Sequence, residues 1–383
     1  MRNLCLLGAS GSIGRQTLDV IKKHPNDFSL VSFSVGHQTR KIALIIKNNP
    51  SVKSICLMEK SKVNYYQKKY PNIKFYYGDD GLLKLIDDSI DMVVNALVGF
   101  VGLKPTLYAL ENNKIVCLAN KEALVVGGEL VNKVLKKEQG KLYPIDSEHS
   151  AIKKCLMVDS SNVKNIWLTA SGGAFRNLKR EQLNKVTPED ALKHPTWKMG
   201  QKITIDCATM VNKAFEIIEA HYLFNYPFDK IKIKLHDESH IHSYVEYENG
   251  ELRLDISKPD MRNPIELALY EFNKEFQTYT AKSLEQFKKY HFHDFDINRY
   301  PVIKWSEKVI NEKGTYGAVF NAANEVAVHA FLNHEISFLD IERIIEKLMI
   351  EHKNIKHPNY ERIKEIDIKT RQNAYELIKN RRY

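Results

Sequence analysis

Residues 3–23 read Asn3-Leu4-Cys5-Leu6-Leu7-Gly8-Ala9-Ser10-Gly11-Ser12-Ile13-Gly14-Arg15-Gln16-Thr17-Leu18-Asp19-Val20-Ile21-Lys22-Lys23. The run Asn3 to Leu7 has the length and apolar character of a short buried strand, Gly8 to Gly14 forms a glycine turn, and Arg15 to Lys23 carries helical spacing through Leu18 and Ile21 until Pro25 stops it. Strand, tight turn and helix in this order predict the first βα unit of a nucleotide-binding sheet. Glycines let the backbone come close to a pyrophosphate, and the amides at the helix N-terminus attract its charge. The spacing is G-x-x-G-x-x-G rather than the G-x-G-x-x-G of the dinucleotide fingerprint, so the flanking strand and helix carry the reading. A tight turn with no ligand is the alternative.

The next strand, Phe28 to Val35, ends where an adenine ribose would lie. NAD-preferring sites tend to carry an acid there, whereas this chain has Gly36-His37-Gln38-Thr39-Arg40-Lys41, several donors and no carboxylate. NADP is therefore favoured over NAD. Further strands are expected at Ser54 to Met58, Ile73 to Gly78, Met92 to Leu97, Lys114 to Leu118 and Lys141 to Ile145, with helix-compatible segments between most of them. Such alternation predicts a largely parallel sheet covered on both faces. Asn120-Lys121-Glu122 falls just beyond a strand end, where ligands bind in open α/β sheets, and is a site candidate.

The acids come next. Asp146 and Glu148 stand two apart in what reads as an extended segment after Lys141 to Ile145, so their side chains leave one face and can grip one divalent cation. On a helix, Asn212, Lys213 and Glu216 share a flank through i, i+4 and i, i+3 spacing. Metal and anion would then be held side by side. A salt-bridged surface is the alternative reading of the same residues.

From about residue 150 the elements grow fewer and longer. Val163 to Thr169 is an expected strand that ends in Ser171-Gly172-Gly173, a turn able to receive an anion, and His194-Pro195-Thr196-Trp197-Lys198-Met199-Gly200 resembles a loop that closes over a substrate. His240 to Ile256 is an expected hairpin turning at Asn249-Gly250. His236, His240 and His242 lie near it, yet only the last two share a strand face, so no zinc site is expected. Ala281 to Pro301, charged and aromatic-rich, reads as a linker. A helical region follows, with Asn321 to Val328 rich in small residues suited to close packing.

A chain of 383 residues with 43% hydrophobic and 27% charged residues has room for two or three globular domains. No run approaches a bilayer-spanning length and Met1 lies almost against the first strand, so neither membrane nor leader segment is expected and the cytoplasm is the expected location. The net charge of +10 comes from scattered lysines rather than a basic arm, which argues against nucleic acid and suits phosphorylated small molecules. Cys5, Cys56, Cys117, Cys155 and Cys207 show no C-x-x-C pairing and are expected as buried reduced thiols.

Taken with Leu118-Ala119-Asn120-Lys121-Glu122, Asp146-Ser147-Glu148-His149, Ser171-Gly172-Gly173, His194 to Gly200, Ala208 to Lys213, Pro259-Asp260-Met261-Arg262 and Asn321 to Val328, the glycine turn resembles that of the 1-deoxy-D-xylulose 5-phosphate reductoisomerase family. The resemblance runs from Gly8 to roughly Glu325. It implies an α/β fold: a Rossmann-like parallel-sheet NADPH-binding domain over residues 1–149, an α+β catalytic and dimerisation domain over 150–280, a linker over 281–301 and a C-terminal helical domain over 302–383. It implies a homodimer that rearranges 1-deoxy-D-xylulose 5-phosphate and reduces the resulting 2-C-methylerythrose 4-phosphate with NADPH to 2-C-methyl-D-erythritol 4-phosphate, in non-mevalonate isoprenoid biosynthesis. Position by position it implies that Asp146, Glu148 and Glu216 hold Mg²⁺ or Mn²⁺. Ser10, Gly11, Ser12, Ile13, Gly36, His37, Gln38, Asn120, Glu122 and Gly200 would line NADPH. Lys121, Ser147, Glu148, Ser171, His194, Cys207, Asn212, Lys213 and Glu216 would meet the substrate, with Lys121, Glu148 and Glu216 catalytic and Trp197 and Met199 on a lid.

Several positions depart from the family pattern. Cys207 stands where a serine is usual in the phosphate pocket, His236-Asp237-Glu238-Ser239 replaces His-Pro-Gln-Ser, Ala174 replaces a proline, His37 a lysine or arginine, and Ile256 a glycine. None of these removes an expected metal ligand. Two other readings stay open on the residues alone: a different NADP-linked oxidoreductase that needs no metal, and a non-catalytic NADPH-binding sensor.

Overall fold

The computed structural model describes residues 1–137, 139–194, 197, 199–273 and 290–383. Two compact units emerge, the first made of Met1–Ala123, Leu130–Asp146 and Met261–Phe272, the second of Leu124–Glu129, Ser147–Asp260 and Asn273–Tyr383.

The first unit is built on seven strands: β1 (Arg2–Leu7), β2 (Phe28–Val35), β3 (Ser54–Leu57), β4 (Lys74–Tyr77), β5 (Met92–Asn95), β6 (Ile115–Leu118) and β7 (Lys141–Pro144). They pair in the order β4-β3-β2-β1-β5-β6-β7, parallel throughout, as the alternating pattern predicts. All eight residues of β2 are buried, and Leu4 in β1 lies opposite Leu30 on one side and Met92 on the other. Full burial on both faces is what a parallel sheet demands, and each large side chain such as Phe33 contributes roughly 1.5–3 kcal/mol. The strand order reverses between β1 and β5, so the crevice at their carboxyl ends is the ligand site of such sheets.

One segment of this unit departs from a contiguous reading. Helix Arg262–Leu269 packs against helix Ser12–Lys23, where the Arg262 guanidinium donates to Asp19 at 2.8 Å. The Tyr270 hydroxyl donates to Asp27.

The second unit holds a mixed sheet of β8 (Val163–Ala170), β9 (Ile231–His236), β10 (Ile241–Tyr247), β11 (Leu252–Ile256) and β12 (Phe292–Asp294), in the order β11-β10-β8-β9-β12. Only β8 and β9 run parallel. The hairpin of β10 and β11 turns at Asn249-Gly250 as expected. Strand β12 lies inside the segment that reads as a linker; pairing with β9 gives it structure there, while residues 281–289 of that segment fall outside the described residues. Helices Lys304–Glu312, Tyr316–Leu332, Phe338–Glu351 and Tyr360–Asn380 form the expected helical region. Their core carries edge-to-face ring pairs, Phe215 with Phe320 at 5.0 Å and Phe331 with Phe338 at 5.6 Å.

Cys5, Cys56, Cys117 and Cys155 are buried and all five cysteines are free. Burial pushes the Cys5, Cys56 and Cys155 thiols up to about 12, which keeps them protonated and unreactive. Among the described residues no helix is long and apolar enough to cross a membrane.

Candidate active site

In the first unit the glycine turn sits at the sheet crevice. Gly8 has φ +87°, and a Cβ there would meet the Ala96 carbonyl at 2.5 Å, so only glycine lets the end of β1 pass the chain leaving β5. The Gly8 amide donates to Ser34 Oγ at 2.8 Å. Helix Ser12–Lys23 then starts at Gly11 with no side-chain cap, which leaves its first amides to an outside acceptor. Ser10 to Ile13 and Gly36 to Gln38 therefore flank one crevice. His37 is largely exposed, with its Nδ1 3.5 Å from a Glu59 oxygen.

Asn120 and Lys121 lie on the same side of the sheet. Asn120 is buried; its amide donates to the Gly99 carbonyl at 2.9 Å and to Glu122 at 3.1 Å, and its oxygen accepts from the Ala123 amide. Lys121 Nζ donates to Asp146 Oδ2 at 2.8 Å, with both side chains about nine-tenths buried.

In the second unit Glu148 and Glu216 meet Lys213. Glu148 differs from its expected setting, since Ser147–Val158 is a helix rather than an extended segment. The physical reason is the buried face His149, Ser150, Ala151, Ile152 and Cys155 at helical spacing, and an acid in the first turn suits the helix dipole. Helices Gln201–Thr209 and Val211–Phe224 meet at Met210, which takes the left-handed conformation at φ +65°. That bend places Asn212 and Lys213 in a first helical turn, and Glu216 one turn further on.

Lys213 Nζ bonds Glu216 and lies 3.8 Å from Glu148 Oε1, while Asn212 donates to the other Glu216 oxygen and Ser147 Oγ donates to Glu148 at 2.6 Å. The Lys213 and Glu216 side chains are 4% and 2% exposed. Ligand oxygens of Glu148 and Glu216 lie within 4.8 Å of each other, close enough to share one ion. Two carboxylates against one ammonium in a dry setting attract a further cation, and oxygen-only donors fit Mg²⁺ or Mn²⁺ rather than a softer metal. Asp146, held by Lys121, stands one residue before Ser147 in the chain.

Sequence reasoning missed the support behind Glu216. His149 Nε2 meets the Glu216 backbone carbonyl at 2.9 Å and its Nδ1 lies 3.2 Å from Glu219, all fully buried, so the imidazole ties together the helices that carry Glu148 and Glu216. Glu219 lies one turn beyond Glu216, and that spacing was the available signal. Asp206 was also missed: it accepts from Asn324 at 2.8 Å and pairs with Lys202 at 3.0 Å, giving the Asn321 to Val328 segment a polar tie besides its small-residue packing.

A second group forms at the end of β8. The Trp197 amide donates to His194 Nδ1 at 3.0 Å, so the neutral ring carries its proton on Nε2 and donates to Ser171 Oγ at 3.1 Å. The Gly173 amide also donates to Ser171 Oγ, which turns the hydroxyl proton outward as a donor. Burial, and then the Arg176 charge, lowers His194 to about 4. Gly173 has φ +68°, and a Cβ there would meet the Cys207 carbonyl and Ala208 Cα at 2.7 Å, so the turn lies directly against the helix that carries Cys207.

Trp197 is half-buried with its ring 6.0 Å from that of His242, and Met199 is half-buried; Pro195, Thr196 and Lys198 lie outside the described residues. Gly200, expected at the cofactor, caps helix Gln201–Thr209 in the second unit. His236 is spent on structure, its Nε2 accepting from the His240 and Ile241 amides at 3.2 Å. The acids that depart from the family pattern meet histidines across the sheet, Glu238 with His291 at 2.6 Å and Asp237 with His293 at 3.3 Å.

Three family models match the chain: 1-deoxy-D-xylulose 5-phosphate reductoisomerase over residues 4–128, the 1-deoxy-D-xylulose 5-phosphate reductoisomerase C-terminal domain over 142–224, and the DXP reductoisomerase C-terminal domain over 256–373. The 1-deoxy-D-xylulose 5-phosphate reductoisomerase 2 of Bacillus thuringiensis subsp. konkukian (strain 97-27) is 44% identical, over 99% of this chain and 100% of that protein. The enzyme of Bacillus subtilis (strain 168) is also 44% identical, over 97% and 98%. A solved DOX-P reductoisomerase in complex with NADPH, fosmidomycin and magnesium superposes with a TM-score of 0.91 at 33% identity, covering 99% of this chain and 98% of that one. The Zymomonas mobilis enzyme in complex with NADPH gives a TM-score of 0.89 at 35% identity, covering 98% and 99%. With nearly its whole length matched in sequence and in fold, the chain belongs to the 1-deoxy-D-xylulose 5-phosphate reductoisomerase family.

Proposed function

We propose that this chain converts 1-deoxy-D-xylulose 5-phosphate to 2-C-methyl-D-erythritol 4-phosphate with NADPH and a divalent cation, and that Asp146, Glu148 and Glu216 hold the cation. The observation that carries the reading is the buried meeting of Glu148, Lys213 and Glu216 in a member of this family. Asp146, joined to Glu148 through Ser147, supplies the third carboxylate in this reading.

The bound cation supplies Lewis acidity and a template for neighbouring oxygens of the sugar phosphate, and NADPH supplies the hydride. The chain's own residues do the rest. Ser171, Cys207, Asn212 and Lys213 bind the substrate, with the Ser171 proton presented to a phosphate oxygen by its two incoming donors. His194, kept neutral, orients that hydroxyl. Lys121 and Glu148 hold and move protons beside the reacting carbons, and Ser147 orients Glu148 through its 2.6 Å bond. Ser10 to Ile13, Gly36 to Gln38, Asn120, Glu122 and Gly200 line the cofactor. Trp197 and Met199 exclude water as a lid.

The chain works as a homodimer in this reading. Edge strand β11 supports it, since Leu252 and Leu254 are 53% and 42% exposed on a strand that, among the described residues, pairs on one side only.

The test is to follow NADPH absorbance after adding 1-deoxy-D-xylulose 5-phosphate, with and without Mn²⁺. Oxidation that needs both is the expected result. A rate untouched by chelation would point to a metal-independent oxidoreductase, and cofactor binding without oxidation to a sensor.

A further inference from the structure

A site that prefers NADPH must meet the 2′-phosphate with cations near the end of β2 and the first turn after the glycines. Three basic side chains, His37, Arg40 and Lys41, follow β2, and the structure separates them. His37 is 80% exposed and turned to Glu59, whose carboxylate also takes Lys62 at 2.8 Å. Arg40 is exposed. Lys41 instead folds back onto the glycine turn, where its Nζ donates to the Ser10 carbonyl at 2.9 Å. Arg15, in the first turn of helix Ser12–Lys23, donates through Nε to the Gly11 carbonyl at 3.3 Å.

The two cations are thus anchored on successive carbonyls of one turn. They line a single cavity of about 550 Å³ together with Ser12. Burial, and then the Arg15 charge, lowers the Lys41 ammonium from its ordinary value. Among the described residues neither Arg15 nor Lys41 pairs with a carboxylate. Asp19 lines the same cavity, but its carboxylate is held by Arg262 at 2.8 Å; two like charges held together are unfavourable by themselves, and an anion placed beside them lowers that cost.

We infer that Arg15 and Lys41 seat the 2′-phosphate of NADPH and set the preference over NADH, in place of His37. The inference rests on the cofactor reading above and names the residues that give it selectivity. In a sheet with this strand order the adenine ribose lies between the glycine turn and the end of β2, so a phosphate on its 2′-oxygen falls at the mouth of this cavity. Ser12 adds a hydroxyl to the lining of this cavity.

The experiment is calorimetric titration of the full-length protein with adenosine 2′,5′-bisphosphate and with AMP, which lacks the 2′-phosphate. Wild type binds the bisphosphate more tightly. Lys41→Met and Arg15→Met each weaken it by about 10- to 150-fold, the range of one charge-assisted contact, and leave AMP unchanged. Lys41→Arg stays within about 3-fold of wild type, as does Arg40→Gln, at an exposed basic residue that the site does not use. Unchanged bisphosphate affinity in both methionine variants overturns the inference, and so does an equal loss for AMP or a loss carried by Arg40→Gln. A wild type that binds NADPH and NADH equally overturns the inference alone; one that binds no NADPH removes the cofactor reading and the inference with it.

Discussion

The Lys213 ammonium lies 3.8 Å from the Glu148 carboxylate while bonded to Glu216, so one cation holds together two acids from different helices. Both helices owe their approach to this pairing and to the His149 bond behind it. Lys213→Met leaves the buried Glu216 facing the part-buried Glu148. The metal-free variant is expected to lose about 3 kcal/mol of stability in urea unfolding, and Mn²⁺ to restore a larger share of stability in the variant than in wild type. Equal stability of the two proteins in chelator would contradict the account.

His194 makes a pH prediction whose sign is set by its lowered value of about 4 against an ordinary 6.5. Above 6.5 the folded and unfolded rings are both neutral. Below it the unfolded chain takes up a proton that the folded ring refuses until about pH 4. Its contribution to stability is therefore whole above pH 6.5, falls as pH drops toward 4, and is constant below. His194→Gln is expected to flatten the stability profile in that window, and the ring resonance to titrate near 4 by NMR.

Cys207 offers a thiol where a hydroxyl would donate better. Cys207→Ser is expected to lower KM for 1-deoxy-D-xylulose 5-phosphate by about 3- to 10-fold, the worth of one neutral hydrogen bond, with little change in kcat. A KM that stays put or rises counts against placing Cys207 at the phosphate.

Gly173 keeps the Ser171 turn against helix Gln201–Thr209, and at φ +68° a Cβ would sit 2.7 Å from Ala208 Cα. Gly173→Ala is expected to cost about 1–3 kcal/mol of stability through strain and to raise KM, as Ser171 and Cys207 move apart. Unaltered steady-state kinetics would remove the turn from the substrate site.

Local pattern made much of this legible. The unbroken run Phe28 to Val35 became β2 over its full length, and Asn249-Gly250 turned the β10 and β11 hairpin. Asn212, Lys213 and Glu216 share a flank because helical spacing puts them there. What escaped was pairing at long range. Asp206 finds Asn324 across 118 positions, Arg262 finds Asp19 across 243, and no period in the chain encodes either. Glu148 was read as extended because its neighbours Asp146 and Ser147 carry no helical signature, while the apolar face that makes the helix begins only after it. Glu59, just beyond the end of the neighbouring strand, lies 3.5 Å from His37, a contact no local pattern encodes.

The central claim is that Asp146, Glu148 and Glu216 share one divalent cation, and Mn²⁺ binding followed by electron paramagnetic resonance measures it without any turnover. Wild type is expected to bind one Mn²⁺ per chain at the tight site, and Asp146→Asn, Glu148→Gln and Glu216→Gln each to weaken that site by at least about 10-fold. Variants that fold normally and keep wild-type Mn²⁺ affinity would contradict it.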